Sequence, residues 1–104
     1  MLRVKLVRIK SNHQKIRTDE VVGKTTHIPK VGERFTMFAP PLEEGLFRTV
    51  FTTPVQTRQY DESERAFTFT TENSEYALYV LDDEKDPFEY ERLTVAPSRK
   101  RLFT

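Results

Sequence analysis

The chain has 104 residues, no cysteine and a formal net charge of +1. This length allows one domain, and the missing cysteines exclude disulfides, thiol nucleophiles and cysteine-based zinc sites. Eight Phe and four Tyr supply bulky side chains for a core, which is typical of a folded domain and not of a disordered chain.

The N-terminus lacks a long apolar stretch. Charged side chains at positions 3, 5 and 8 interrupt its apolar residues, which are Leu2, Val4, Leu6, Val7 and Ile9. This stretch is too short for a signal peptide, and no segment reaches the roughly 20 apolar residues of a membrane-spanning helix. We therefore expect a cytoplasmic protein that is not bound to a membrane.

The first two predicted strands lie within residues 1–26. Apolar and basic residues alternate from Leu2 to Leu6, which is the period of a half-buried strand. The alternation slips at Leu6 and Val7, which predicts a β-bulge there. Residues 11–14 read as a turn, and residues 16–26 as a second strand in which Gly23 marks a bend or a bulge.

The middle of the chain predicts further short strands. Residues 34–39 place Phe35, Met37 and Ala39 on one side and Thr36 and Phe38 on the other. Two successive prolines, at positions 40 and 41, must end this strand because neither has an amide hydrogen. Residues 46–53 and 55–60 continue the β pattern, and Pro54 between them fits only an edge or a bulge.

The clearest local prediction is a hairpin formed by residues 65–71 and 76–81, joined by a short polar turn. Residues 88–95 fit either a helical turn or a last strand, with the strand favoured over 91–95. Five to seven short strands predict a mainly β fold, a small antiparallel barrel or rolled sheet of the SH3-like or OB-like kind. We expect one β domain over residues 1–96 and a basic tail over 97–104.

Charge is unevenly distributed along the chain. Residues 1–34 carry nine basic and three acidic side chains, residues 35–97 five basic and thirteen acidic, and residues 98–104 three basic ones. The folded chain either neutralises itself or presents two faces of opposite sign.

The sequence contains none of the common catalytic motifs. His13 and His27 are the only side chains that titrate near neutral pH, and each fits a solvated loop. No Gly-x-Ser-x-Gly elbow or phosphate-binding glycine loop occurs. Residues 82–86 fail as an EF-hand because Pro87 stands where glycine is needed. We expect no enzyme activity, no cofactor and no metal site.

Two charged segments are candidate binding sites. The first is a basic stripe on the outward side of the first strand and in the tail, which suits phosphates and predicts a nucleic-acid site; its residues are Arg3, Lys5, Arg8, Lys10, Lys15, Arg17, Arg99, Lys100 and Arg101. The second combines carboxylates with aromatic rings and predicts a protein-binding site; its residues are Asp82, Asp83, Glu84, Asp86, Phe88 and Tyr90. Each segment also fits a simpler role, as a solvated strand face or an exposed loop.

Residues 34–81 contain two segments that resemble a known group of proteins. These segments are Thr52-Thr53-Pro54-Val55 and Thr71-Glu72-Asn73-Ser74-Glu75-Tyr76-Ala77-Leu78. This stretch resembles small, largely uncharacterised β-barrel proteins of bacteriophages and mobile elements. The resemblance implies a small accessory protein of phage or mobile-element origin and brings no catalytic residues.

These observations favour a non-catalytic β-barrel module, accessory or regulatory, that binds a protein partner. The alternative is a nucleic-acid-binding barrel that uses the basic first strand and the tail. An enzyme of unfamiliar type would instead need a pocket that gathers a histidine and a carboxylate.

Overall fold

A computed structural model describes residues 1–11, 20–40 and 48–91 of the chain, except for the side chains of residues 10 and 11. Within these ranges the chain forms seven strands and a short 3₁₀ helix at Pro87–Tyr90. The strands are β1 (Leu2–Ser11), β2 (Glu20–Thr25), β3 (Arg34–Ala39), β4 (Arg48–Pro54), β5 (Thr57–Asp61), β6 (Ala66–Thr70) and β7 (Ser74–Val80). The mainly β prediction is confirmed.

The strands form one antiparallel sheet in the order β4-β3-β2-β1-β7-β6-β5, curled into a half-barrel. Its two outermost strands, β4 and β5, follow each other in the chain with only Val55 and Gln56 between them. Val55 exchanges backbone hydrogen bonds with Gly32 and Glu33, and Gln56 N–H donates to Thr70 O at 2.7 Å. This one segment therefore ties together the two ends of the sheet and keeps it curled.

The core lies on the concave side of the curled sheet. Aromatic rings occupy its centre: Phe69 stacks on Tyr76 at 5.1 Å between centroids and meets Phe35 at 5.8 Å. Aliphatic side chains from β1, β3 and β7 surround these rings, among them Leu2, Val4, Leu6, Met37, Leu78 and Val80. Burial of each large apolar side chain stabilises the fold by roughly 1.5–3 kcal/mol, so the single concave core holds the sheet together.

Most predicted strands agree with the structure within a few residues. The 65–81 hairpin is present as β6 and β7, and β3 ends at Ala39 just before the prolines. Pro54 is the last residue of β4, which is an edge strand. Its missing amide hydrogen therefore removes no hydrogen bond from the interior of the sheet. Glu91 is not part of a strand, although a strand was expected over 91–95. Residues 92–95 and the basic tail lie outside the described part of the chain.

The register shift in β1 lies later than expected. On the β7 side, β1 pairs without interruption from Val4 to Arg8, and the register shifts between Arg8 and Lys10. The irregularity expected in β1 is therefore present, but it lies between Arg8 and Lys10 and not near residue 6 or 7. Because the alternation continues through Arg8, this side chain points to the inner face, where its guanidinium lies 5.8 Å from the centre of the Tyr76 ring.

β2 and β3 cross at Gly23. A Cβ atom at Gly23 would collide with the backbone carbonyl oxygen of Phe38 and would lie 2.9 Å from Cε of Met37. Lys24 and Phe38 are the one residue pair in register between these two strands in the described residues. Only glycine allows β3 to pass this close to β2 at this position.

We predict that Gly23→Ala destabilises the fold by about 1–3 kcal/mol, because the new methyl group must displace a backbone carbonyl and not a movable side chain. Urea unfolding gives the free energy of unfolding. Gly32→Ala is the matched control: its φ of 93° strains alanine, but no atom lies within 4 Å of the added Cβ. Its cost of about 1 kcal/mol then reflects backbone strain alone. A Gly23→Ala protein as stable as the native chain would contradict the close approach.

Candidate binding surface

The convex side of the sheet carries a groove where β1, β2 and β3 meet the end of β7. The groove encloses about 680 Å³, which is within the range of ligand-binding clefts. We call it the outer groove; its lining residues are Met1, Arg3, Val22, Gly23, Lys24, Phe38, Pro40 and Leu81. Apolar atoms form most of its wall, and none of these residues is acidic.

Strand alternation explains why apolar side chains lie on the outside here. Leu2, Val4 and Leu6 point into the core, so Arg3 and Lys5 between them point out. Val22 pairs with Lys5 and Phe38 pairs with Lys24, so both apolar side chains lie on this outer face. Met1 is 59% exposed, Val22 53% and Phe38 36%. Contiguous exposed apolar surface of this kind typically marks an interaction site.

Cations border the outer groove. Lys24 makes no ion pair within the described ranges and is exposed. Lys5 lies beside Val22, and its Nζ is 5.4 Å from the centre of the Tyr79 ring. The groove therefore combines an apolar floor with a positive border, and this favours partners that carry carboxylates beside apolar groups.

Arg3 is already engaged at the end of the groove. Its backbone N–H and its Nε donate to the two carboxylate oxygens of Asp82, at 2.8 and 2.9 Å. Lys85 lies 3.7 Å from the same carboxylate and donates from Nζ to the Met1 carbonyl at 2.9 Å. These bonds fasten the acidic turn, residues 82–86, against the start of β1.

The pKa of Asp82 is held below its ordinary value of 3.8, first by the hydrogen bond from the Arg3 backbone and then by the Arg3 side chain. The pKa of Asp61 is also lowered, chiefly by the hydroxyl of Ser63. Both carboxylates are therefore bound more tightly in their charged form, and both contribute to stability through the turns they hold.

The carboxylates of the acidic segment do not act as one site. Asp82 pairs with Arg3 and Lys85, whereas Asp83 and Glu84 are exposed and make no ion pair in the described part of the chain. Asp86 accepts the Phe88 N–H at 3.0 Å and so caps the 3₁₀ helix. Asp83 and Glu84 are thus exposed carboxylates of this turn that neither make an ion pair nor cap the helix within the described residues.

The two aromatic residues of this segment, Phe88 and Tyr90, pack against other residues of the chain. The Phe88 ring meets Tyr60 and Phe67 at 5.0 and 5.5 Å, although 42% of the residue stays exposed. Tyr90 packs against the core, and its carbonyl accepts the Ile28 N–H at 2.9 Å. An open cleft of about 560 Å³ lies between the acidic turn, Tyr60 and Phe88.

The basic stripe is not continuous on the outer face. Arg3 and Lys5 point outward, but Arg8 points inward and not beside them as expected. Of Lys10 only the backbone, at the end of β1, is described. The other predicted members lie outside the described residues: Lys15, Arg17, Arg99, Lys100 and Arg101.

His27 is buried and not solvated as expected. Its ring lies 5.5 Å from Phe35, and its Nε2 is 3.4 Å from the Thr36 backbone N–H. His13 lies outside the described residues. Among those described, no group of three or more His, Asp or Glu side chains is placed to hold a metal ion. No helix in the described part is long and apolar enough to span a membrane.

Sequence reasoning missed most of the outer groove. The alternation in β3 already placed Phe38 opposite the core residues, and this was the one available signal. Val22, Lys24 and Leu81 carry no motif. The pairing of β2 with β1 and β3, and that of β1 with β7, bring them together with Met1.

No family model, curated protein or solved structure matches this chain. The fold and the surface described above are therefore the basis for a functional proposal.

We predict that Asp82→Asn flattens the acid dependence of stability. A carboxyl whose pKa is lower in the folded chain stabilises it fully above the unfolded pKa, and this stabilisation disappears as the pH falls through the folded pKa. The native chain should therefore lose stability below about pH 4 more steeply than the variant does. Urea unfolding at pH 3 to 7 measures this slope. Asp83→Asn is the control and should keep the native slope; equal slopes for all three proteins would contradict the Arg3–Asp82 contact.

Proposed function

We propose that this chain is a non-catalytic accessory module that binds a protein partner through the outer groove. The observation that carries the proposal is the exposed apolar floor of Met1, Val22 and Phe38 beside the exposed Lys24, which makes no ion pair within the described residues. Protein interfaces combine an apolar centre with a polar border in this way.

The chemistry of the groove supports binding rather than turnover. Its titratable side chains are Arg3 and Lys24, and neither is a usual general acid or base near neutral pH. The buried ring of His27 faces Phe35 on the concave side, away from the groove. The resemblance of residues 34–81 to small accessory proteins of phages and mobile elements is consistent with this role.

The placement of the cations favours a protein over a nucleic acid. A strand of nucleic acid needs a row of phosphate contacts. Among the described residues of the basic stripe, Arg3 is occupied by Asp82 and Arg8 contacts Tyr76, which leaves Lys5. Within the described part of the chain, Lys5 and Lys24 at the groove suit a few carboxylates better than a row of phosphates.

We predict that Val22→Asp abolishes partner binding without unfolding the chain, because it places a buried charge at the centre of the interface. The full chain, labelled and incubated with host lysate, should retain one or more proteins that the variant loses. Thr68→Asp is the matched control, since Thr68 is an exposed β-branched residue on β6, three strands away from β2 in the sheet.

Thermal unfolding should give the same midpoint for the native chain and both variants. Retention of the same proteins by the native chain and by Val22→Asp would contradict the proposal. Retention of nucleic acid instead, lost in Lys5→Glu and falling steeply with salt, would favour the alternative function.

A further inference from the structure

The outer groove and the acidic turn are neighbours with opposite charge. Lys85 of the turn donates to the Met1 carbonyl, and Leu81, which lines the groove, directly precedes the turn. Lys24 on one side, and Asp83 and Glu84 on the other, make no ion pair within the described residues. Lys24 is the register partner of Arg3, and Asp83 and Glu84 directly follow Asp82. The described residues therefore present exposed charges of both signs on either side of the Arg3–Asp82 ion pair, with no ion pair between them.

We infer that the partner in the outer groove is a second copy of this chain, and this inference rests on the proposed function. In a two-fold dimer the apolar floors of the two grooves face each other. The acidic turn of each copy lies against Lys5 and Lys24 of the other.

Symmetry favours this occupant over an open chain of molecules. A two-fold axis brings the same patch of both copies together. Every contact across the axis therefore occurs twice, with the roles of the two copies exchanged. A positive and a negative patch that flank one apolar centre satisfy this rule, because each patch meets its complement across the axis. Patches on opposite sides of the molecule would instead build filaments or rings.

The apolar floor gives the dimer a centre. Met1, Val22 and Phe38 are each more than one-third exposed in the single chain, and the axis would bury them against their own copies. Phe38 also presents an aromatic ring, the kind of side chain that contributes most to interface stability. The charged turns would form the border, where they set orientation more than affinity.

The size of the surface sets the strength of the dimer. The groove and the turn together comprise fewer residues than the roughly 20–30 that line each side of a standard interface. We therefore expect a weak dimer with a Kd on the order of micromolar, which dissociates further at high salt because its charged border is screened over about 8 Å.

Charge exchange tests the inference directly. The first variant reverses the groove border, with Lys5→Glu and Lys24→Glu; the second reverses the turn, with Asp83→Lys and Glu84→Lys. Each variant alone brings like charges together and should be monomeric in sedimentation velocity at concentrations where the native chain dimerises. Mixed in equal amounts, they should form a heterodimer, because both contacts across the axis regain opposite charges.

A control variant, Glu72→Lys, changes an exposed charge in the turn before β7, at the end of that strand away from the groove, and should dimerise like the native chain. Circular dichroism and thermal unfolding should show that all variants fold. A native chain that stays monomeric at its highest soluble concentration overturns the inference. So does a mixture that fails to form the heterodimer, or a dimer unaffected by either reversal.

The Val22→Asp variant separates this inference from the proposed function. Loss of the dimer in Val22→Asp, together with the charge exchange, supports both. A monomeric native chain whose other protein partner is lost in Val22→Asp overturns self-association and leaves the proposed function standing. A variant that changes neither the dimer nor partner binding overturns both.

Discussion

The contact on which this fold depends is the approach of the β3 backbone to Gly23, where no room remains for a Cβ atom. Beside this approach, Lys24 and Phe38 form the one register pair between β2 and β3 in the described residues, and Phe35 and Met37 of β3 share the core with Leu2 and Val4. The same crossing leaves Phe38 and Val22 outside, on either side of Gly23. One steric constraint thus shapes both the core and the outer groove.

Residues 48–61 also help to hold the sheet in its curled form. A sheet this small normally has two exposed edges, each a row of unpaired backbone groups. Here β4 and β5 are nearly one strand, which pairs with β3 in its first half and with β6 in its second. Pro54 ends the first half, and Val55 enters the core between them. The curled sheet is therefore held both by side chains and by the covalent chain.

Local patterns predicted the elements of this fold better than its surface. Alternation in Leu2–Leu6 and in Phe35–Ala39 fixed which side chains are buried, and the paired prolines fixed where β3 ends. The position of the β1 register shift depends on pairing with β7, some 70 residues later, and so Arg8 was assigned to the wrong face. The burial of His27 against Phe35 and the convergence of Val22, Phe38 and Leu81 likewise depend on contacts between strands that no local pattern contains.

The strand order has a consequence for synthesis on the ribosome. The central neighbours β1 and β7 lie at the two ends of the described sheet in sequence, and Val4 pairs with Val80. Contacts between such distant residues form late and slow the folding of β proteins. While the nascent chain is shorter than about 80 residues, β1 lacks one of its two neighbouring strands. Prematurely terminated chains would therefore leave one edge of β1 unpaired and become substrates for chaperones and proteases.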